Sequence, residues 1–344
     1  MERLEKVYSQ IRLFHRASAE QSIVVKEFWA EAEELLNAEN VNGLFYVRVS
    51  RMPEELLTFR RNFFSILFIS MFHLLGISSE RLKLYAFINH LFRCWVTSAD
   101  NLLDNEDKIT IAFDMPGDSP VMRQVIAIML SDRLLFQKLN NCVERGVLTA
   151  EEAGLLSSET LRILLPAAAE EGTEEGGLKI WPSAEEVLTE IHPVKTGLLF
   201  HIPFTGPECI EKDIDMELLA ELKDGLMKFG VACQLLDDVK DFETDFRERR
   251  ANFLISRINE QVADADGKIA SVLSAGDGKR LAACSFGNVV DETVMISMNY
   301  FNAAFTTLDH AGLKGFRPLK KVIIKLLLSQ LGVKELKNIV EKYL

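Results

Sequence analysis

Residues 234–245 read QLLDDVKDFETD, and they follow an apolar run, LMKFGVAC, at 226–233. Asp237, Asp241 and Asp245 are spaced four apart, and Gln234 lies three before Asp237. On a helix this spacing puts all four on one face. Like charges at i,i+4 cost a helix a few tenths of a kcal/mol per pair, so a cation is expected to offset them. A second cluster, ADNLLDNEDK at 99–108, repeats the pattern with Asp100 and Asp104, and it too follows an apolar run, LFRCWV. A charge run is ordinarily a solvated face. Here each cluster instead continues a helix that is apolar before it.

Oxygen donors without cysteine or spaced histidine select a hard cation. Mg²⁺ fits because it takes one or two carboxylates and completes its shell with water and phosphate oxygens. Arg247, Arg249 and Arg250 follow the second cluster and suit phosphate oxygens. The two clusters together therefore predict a metal–diphosphate site.

The rest of the chain predicts an all-α protein. Apolar residues recur at three and four positions almost throughout, and alternating patterns are scarce. FFSILFISMFHLLG at 63–76 is too short to span a bilayer and reads as a buried helix. SSE at 78–80 opens a helix, and Thr149 with Glu152 forms a capping box. DMPGDSP at 114–120 reads as a loop, residues 167–186 as a long surface loop, and Gly206–Pro207 as a helix break. ADADGK at 263–268 and SAGDGK at 274–279 read as turns. Residues 1–45 are expected as an N-terminal helical extension of a single domain at 46–344.

Bulk properties narrow the function. The chain has 344 residues, 48% hydrophobic, with 39 Lys and Arg against 51 Asp and Glu, a net charge of −12. Such a surface argues against nucleic acid or an anionic membrane as the main partner. Five cysteines without CxxC pairing fit free thiols in a reducing cytoplasm. The charged, amphipathic start does not read as a signal peptide.

The two clusters, with two segments between them, resemble the class I isoprenoid synthases, in particular the trans-prenyl diphosphate synthases. DNLLD at 100–104 is similar to the family's first DDxxD, with Asn101 in place of the second Asp. QLLDDVKD at 234–241 matches the second motif, QxxDDxxD. AIMLSDRLL at 127–135 resembles the helix AILAGDxLL with Asp132 in register, and KTGLLF at 195–200 resembles the KTG segment. The likeness covers roughly residues 50–260. It implies an all-α helical bundle with a central active-site cavity.

It further implies Mg²⁺, three ions with substrate bound, held by Asp100, Asp104, Asp237 and Asp241. Asp245 is a further ligand in the cyclase-like pattern, and Asp238 acts through water. Lys195, Thr196, Gln234 and Arg250 are placed by the resemblance as catalytic, with Lys195 and Arg250 against the diphosphate. Phe92 and Trp95, eight and five residues before Asp100, form a line that limits chain length, with Asn89 beyond them. Trp95 predicts a short pocket, nearer fifteen carbons than forty.

The acceptor half departs from the family. The arginine pair expected after the first motif is replaced by NEDKITIAF, with Lys108 as its cation. TFRRNFFS replaces GKRxRP, with Arg61 standing for the lysine and Arg60 beside it. The implied partners are an allylic prenyl diphosphate, isopentenyl diphosphate or a second prenyl diphosphate, and a second copy of the chain as a homodimer. Three activities remain: prenyl transfer, cyclisation of a single prenyl diphosphate, and a non-catalytic partner subunit. His90, His192 and His201 read as core or surface residues, and the lysines of GFRPLKKVIIKLL as amphipathic surface.

Overall fold

A computed structural model describes residues 2–37, 46–104, 106–117, 119–274, 285–314, 317–333 and 336–344. Helix dominates, as the periodicity predicts. Among the described residues the strands are β1 (Arg48–Val49) and β2 (Phe113–Asp114), an antiparallel pair with Arg48 opposite Asp114. The boundary expected near residue 45 falls at 38–45, outside the described residues.

The chain forms two compact units. The first comprises Ile11–Leu161 and Ile202–Asp215. It contains most of α1 (Glu2–Asn37), then α2 (Phe63–Leu74), α3 (Ser79–Leu103), α4 (Pro120–Glu144) and nearly all of α5 (Ala150–Arg162). Nine residues of α2 are buried, including Phe63, Ile66, Phe68 and Phe72, so this helix is apolar all round and forms core. Ser78 caps α3 through the Arg81 amide, and Ser119 caps α4 with Pro120 in its first turn, where no amide partner is needed. Thr149 and Glu152 exchange the two bonds of a capping box, at 2.8 and 3.1 Å.

A buried lysine ties α1 to this unit. Lys138 on α4 bonds Glu27 at 2.5 Å and Glu31 at 2.7 Å, and its ammonium lies 4.1 Å from the Phe87 ring centre. Two carboxylates and an aromatic face compensate its desolvation.

The second unit comprises Met1–Gln10, Arg162–His201 and Met216–Leu344. It contains α6 (Leu165–Glu174), α7 (Ala184–Glu186), α9 (Met216–Lys240), α10 (Phe242–Glu248), α11 (Phe253–Gln261), α12 (Ala265–Ser274), α13 (Gly287–His310), α14 (Lys320–Gln330) and α15 (Lys337–Val340). The short α8 (Thr205–Ile210) belongs to the first unit. Helix α9 packs along α13, where Phe229 meets Phe301 and Phe305 edge to face with centroids 5.1 and 5.9 Å apart, and Phe301 and Phe305 lie tilted at 6.4 Å. Each such buried ring contributes about 2 kcal/mol.

Two loop expectations are corrected. Residues 167–174 of the expected surface loop belong to the helix Leu165–Glu174, because a run of alanines favours helix and Glu174 is drawn into the interior, 3% exposed. Gly206 and Pro207 do not break a helix. They occupy the first turn of α8, which tolerates proline. The turn expected at 263–268 is real at Asp264, whose φ is +52°, and α12 starts immediately after it. The turn expected at 274–279 lies, beyond Ser274, outside the described residues. No described helix is long and apolar enough to cross a membrane.

Candidate functional site

The second aspartate cluster sits where α9 ends. The helix stops at Lys240, and Asp241 bends the backbone (φ −96°, ψ 10°) before α10 begins. The i→i−4 bonds nevertheless continue: the Asp241 amide donates to Asp237 O and the Asp245 amide to Asp241 O, both at 2.8 Å. The backbone register therefore continues through the bend, although the Asp245 carboxylate of the expected stripe turns to Asn252. Lys240 Nζ lies 3.3 Å from Asp237 Oδ1 and 2.8 Å from Asp241 Oδ2, so a cation already stands between the two carboxylates. A third of the Asp237 side chain stays accessible. The protein around it and then the Asp241 charge push its carboxyl up to about 7, while Lys240 pulls the other way.

Asp238 and Asp245 face differently. Asp238 is 1% exposed. Its oxygens accept from the Phe253 amide at 2.7 Å and Gln234 Nε2 at 3.1 Å, and His192 Nε2 lies 3.0 Å away. Asp238 thus anchors the start of α11. Asp245 Oδ2 accepts from Asn252 at 2.7 Å, and the same Asn252 amide donates to Asp238 O at 2.8 Å. Burial holds the Asp245 carboxyl well above its ordinary value, against the Asn252 bond.

The KTG segment lies beside α9. Residues Pro193–Gly197 form a π-helical turn, a feature frequent at functional sites. A side chain on Gly197 would strike Met227, and one on Gly230 would meet Phe200 at 2.9 Å, so both glycines allow the close approach. That approach lets Thr196 Oγ1 donate to Gln234 Oε1. Lys195 Nζ bonds Glu174 at 2.7 Å and lies 3.9 Å from Glu171. Burial pulls the Lys195 pKa down, but Glu174 and Glu170 outweigh it and hold the ammonium charged. Arg250 Nη1 lies 3.7 Å from Glu171 and its Nε 2.9 Å from Glu248. Glu174 also accepts the Ala251 amide at 2.8 Å, so α6 fixes both expected cations through its glutamates.

In the other unit, Asp100 lies in the last turn of α3 and Asp104 caps it, its amide donating to Asp100 O at 2.8 Å; both side chains are exposed. Asn101 is buried, and its side chain bonds both the amide and the carbonyl of Lys108. Phe92 is 4% exposed and stacks on the Trp95 ring at 6.2 Å and 14°. Asp132 is exposed on α4.

The same unit holds a cavity of about 160 Å³ lined by Arg61, Asn62, His90, Arg93, Thr97 and Lys108, among others. Among the described residues, no carboxylate lines it. Asn62, 3% exposed, organises one wall: its Nδ2 donates to Leu56 O and Thr58 O, and its Oδ1 accepts from Arg93 at 3.1 Å. Arg61 Nη2 donates to Ile109 O at 2.9 Å. Lys108 pairs with Glu106. Arg60 is exposed and does not line the cavity. Burial and then Arg61 lower the Arg93 pKa, and burial with Arg93 lowers His90 to about 3, so positive charge is concentrated there.

Arg93 was not among the residues singled out by the motifs, although its spacing carried a signal. It precedes Asp100 by seven residues, two helical turns on the same face, about 10 Å along the axis. Lys240, Glu171 and Glu174 were equally unmarked. Lys240 is legible as an i,i+3 partner of Asp237, whereas the α6 glutamates become visible through tertiary contact alone.

The residues present fit a divalent cation on the second motif. Asp237 and Asp241 are two crowded carboxylates with an ammonium standing between them, and Mg²⁺ needs one or two carboxylates. Among the described residues no cluster of three or more His, Cys, Asp or Glu forms a complete metal cage.

No protein-family model matches the sequence, and no curated protein does. Solved structures do match. A polyprenyl synthase from Caulobacter crescentus, complexed with calcium and isoprenyl diphosphate, aligns over 93% of this chain and 97% of its own at 16% identity, with a TM-score of 0.62. A decaprenyl diphosphate synthase from Rhodobacter capsulatus aligns over 94% and 99% at 14% identity, TM-score 0.61. A polyprenyl synthetase from Streptomyces coelicolor aligns over 91% and 99% at 17% identity, TM-score 0.57. The chain has the all-α fold of the trans-prenyl diphosphate synthases.

Proposed function

On that fold, we propose that the protein is a prenyltransferase that ionises an allylic prenyl diphosphate and joins the prenyl group to a second isoprenoid diphosphate. The observation that carries the reading is the acid-free cavity of Arg61 and Arg93, two helical turns from Asp100 on α3. A cyclase acting on one diphosphate has no use for a second anion pocket. The sequence made the acceptor half look depleted, and Arg93 supplies the missing charge from within α3.

Divalent ions held by Asp237 and Asp241 would neutralise the diphosphate as it leaves, and Asp100 and Asp104 are proposed as ligands from the first motif; Mg²⁺, with three ions, is the proposed complement. Lys195 and Arg250 provide charge at fixed positions, since Glu171 and Glu174 hold them. Thr196 and Gln234 orient one another at the head of the motif. Gln234 and the Phe253 amide hold Asp238, which keeps the α9–α10 bend in place. Arg61 and Arg93 bind and orient the acceptor diphosphate. Phe92 and Trp95 exclude water and line the prenyl chain. A homodimer belongs to the proposal: Met122, Met129 and Phe136, spaced seven apart on α4, are 45%, 66% and 59% exposed and suit burial against a second copy. A cytoplasmic location accompanies it, from a sequence whose cysteines show no CxxC pairing.

Incubation with Mg²⁺ and geranyl or farnesyl diphosphate, with and without isopentenyl diphosphate, tests the proposal. A longer diphosphate formed only with both substrates supports it. A hydrocarbon or alcohol from one substrate indicates a cyclase, and no turnover under any condition indicates a partner subunit.

A further inference from the structure

Lys240 occupies a position that the proposed metal must share. Its ammonium sits between Asp237 Oδ1 (3.3 Å) and Asp241 Oδ2 (2.8 Å), at the bend where α9 gives way to α10. It offers one positive charge to two crowded carboxylates. A divalent ion ligated by the same oxygens stands at roughly 2.0–2.1 Å from them. The ammonium and the ion cannot both stay: they compete for the same lone pairs and repel each other. The lysine side chain is 25% exposed on a flexible four-carbon stem, so it can leave without unfolding the helix end.

We propose that Lys240 is a resident counter-ion that keeps the second aspartate motif poorly loaded with divalent metal until a diphosphate arrives. Bound diphosphate brings oxygens to which the displaced ammonium can turn, and metal binding and diphosphate binding become positively coupled. By linkage each ligand raises the affinity of the other by the same factor. The consequence is a site that does not collect free metal and assembles only around substrate. The inference rests on the reading of Asp237 and Asp241 as metal ligands. It assigns Lys240 a positioning role rather than a part in bond making.

The test is Mn²⁺ binding followed by electron paramagnetic resonance on the full chain, with and without inorganic diphosphate. Wild type is compared with Lys240→Met, which keeps the stem without charge, and with Lys240→Arg, which keeps the charge. Without diphosphate, Lys240→Met is expected to bind Mn²⁺ about tenfold more tightly than wild type, within the usual range of coupling between sites. With diphosphate the difference is expected to shrink below about threefold, and Lys240→Arg is expected to follow wild type. Lys240→Gln gives a second uncharged variant should Lys240→Met fold poorly. Equal or weaker Mn²⁺ binding by the uncharged variants overturns the role of Lys240 while leaving the metal site intact. Absence of Mn²⁺ binding by every form, with or without diphosphate, overturns the metal reading itself and the inference with it.

Discussion

Asn101 grips Lys108 by its backbone: Asn101 Nδ2 donates to the Lys108 carbonyl at 2.8 Å, and Asn101 Oδ1 accepts the Lys108 amide at 3.3 Å. This residue takes the place of the second aspartate in the family-like first motif. The structure gives that departure a reason. The site requires a donor and an acceptor on one side chain, and an ionised aspartate has no donor. Asn101→Asp restores the motif's letters but sets a carboxylate against the Lys108 carbonyl in a buried position. The expected outcome is a loss of about 1–3 kcal/mol in urea unfolding and no gain in activity. A more active Asn101→Asp enzyme would contradict this.

Arg93 is expected to serve the acceptor and not the donor. Arg93→Met removes the charge while keeping an unbranched side chain to fill the space. The apparent KM for isopentenyl diphosphate should rise about 10-fold to 100-fold, the loss of roughly 1.5–3 kcal/mol typical of a charge-assisted bond, with little change in the KM for the allylic substrate. Steady-state kinetics with each substrate varied separately checks it. Equal effects on both would remove Arg93 from the acceptor pocket.

Trp95 is expected to limit product length. Its ring stacks on Phe92 one turn away, so Trp95→Ala removes one whole layer of the line. The product distribution, read by mass spectrometry, should move to longer chains. An unchanged distribution would place the limit elsewhere.

Lys138 should stabilise the docking of α1 in a pH-dependent way. Burial pulls its pKa down, but the bonds to Glu27 and Glu31 outweigh burial and raise it above the ordinary lysine value. The stabilisation is therefore fully present below about pH 10.4, the unfolded value, and is lost as pH rises through the folded pKa. Lys138→Met should cost about 1–3 kcal/mol at pH 7, discounted from a fully buried pair because Glu27 is 39% exposed. In urea unfolding, the gap between wild type and variant should narrow as pH rises above that value. A gap that widens there would reverse the assignment.

The fold was largely legible because its signals are local. Three-and-four periodicity, the helix start at Ser78 and the Thr149–Glu152 box each act within one or two turns, and each stands where the sequence puts it. The segment at 167–186 was misread because its glycines and acidic residues resemble loop composition. The helix there is anchored by Glu174 reaching Lys195 and Ala251, contacts 21 and 77 residues away. The site was legible in the same uneven way. Asp237 and Asp241 follow from spacing. The inward turn of Asp238 does not, because it depends on Phe253 and His192 being brought alongside. Arg93 was hidden by its surroundings, since an arginine inside LFRCWV reads as one polar break in an apolar face until Asn62 and Arg61 are seen beside it.

Transfer to an acceptor makes the rate of diphosphate release depend on that acceptor. Release from farnesyl diphosphate with Mg²⁺ is to be measured as isopentenyl diphosphate is titrated in. Release is expected near zero without the acceptor, rising to saturation with it, and shifted to higher acceptor concentration in Arg93→Met. Release at full rate without any acceptor, or release indifferent to Arg93, would contradict it.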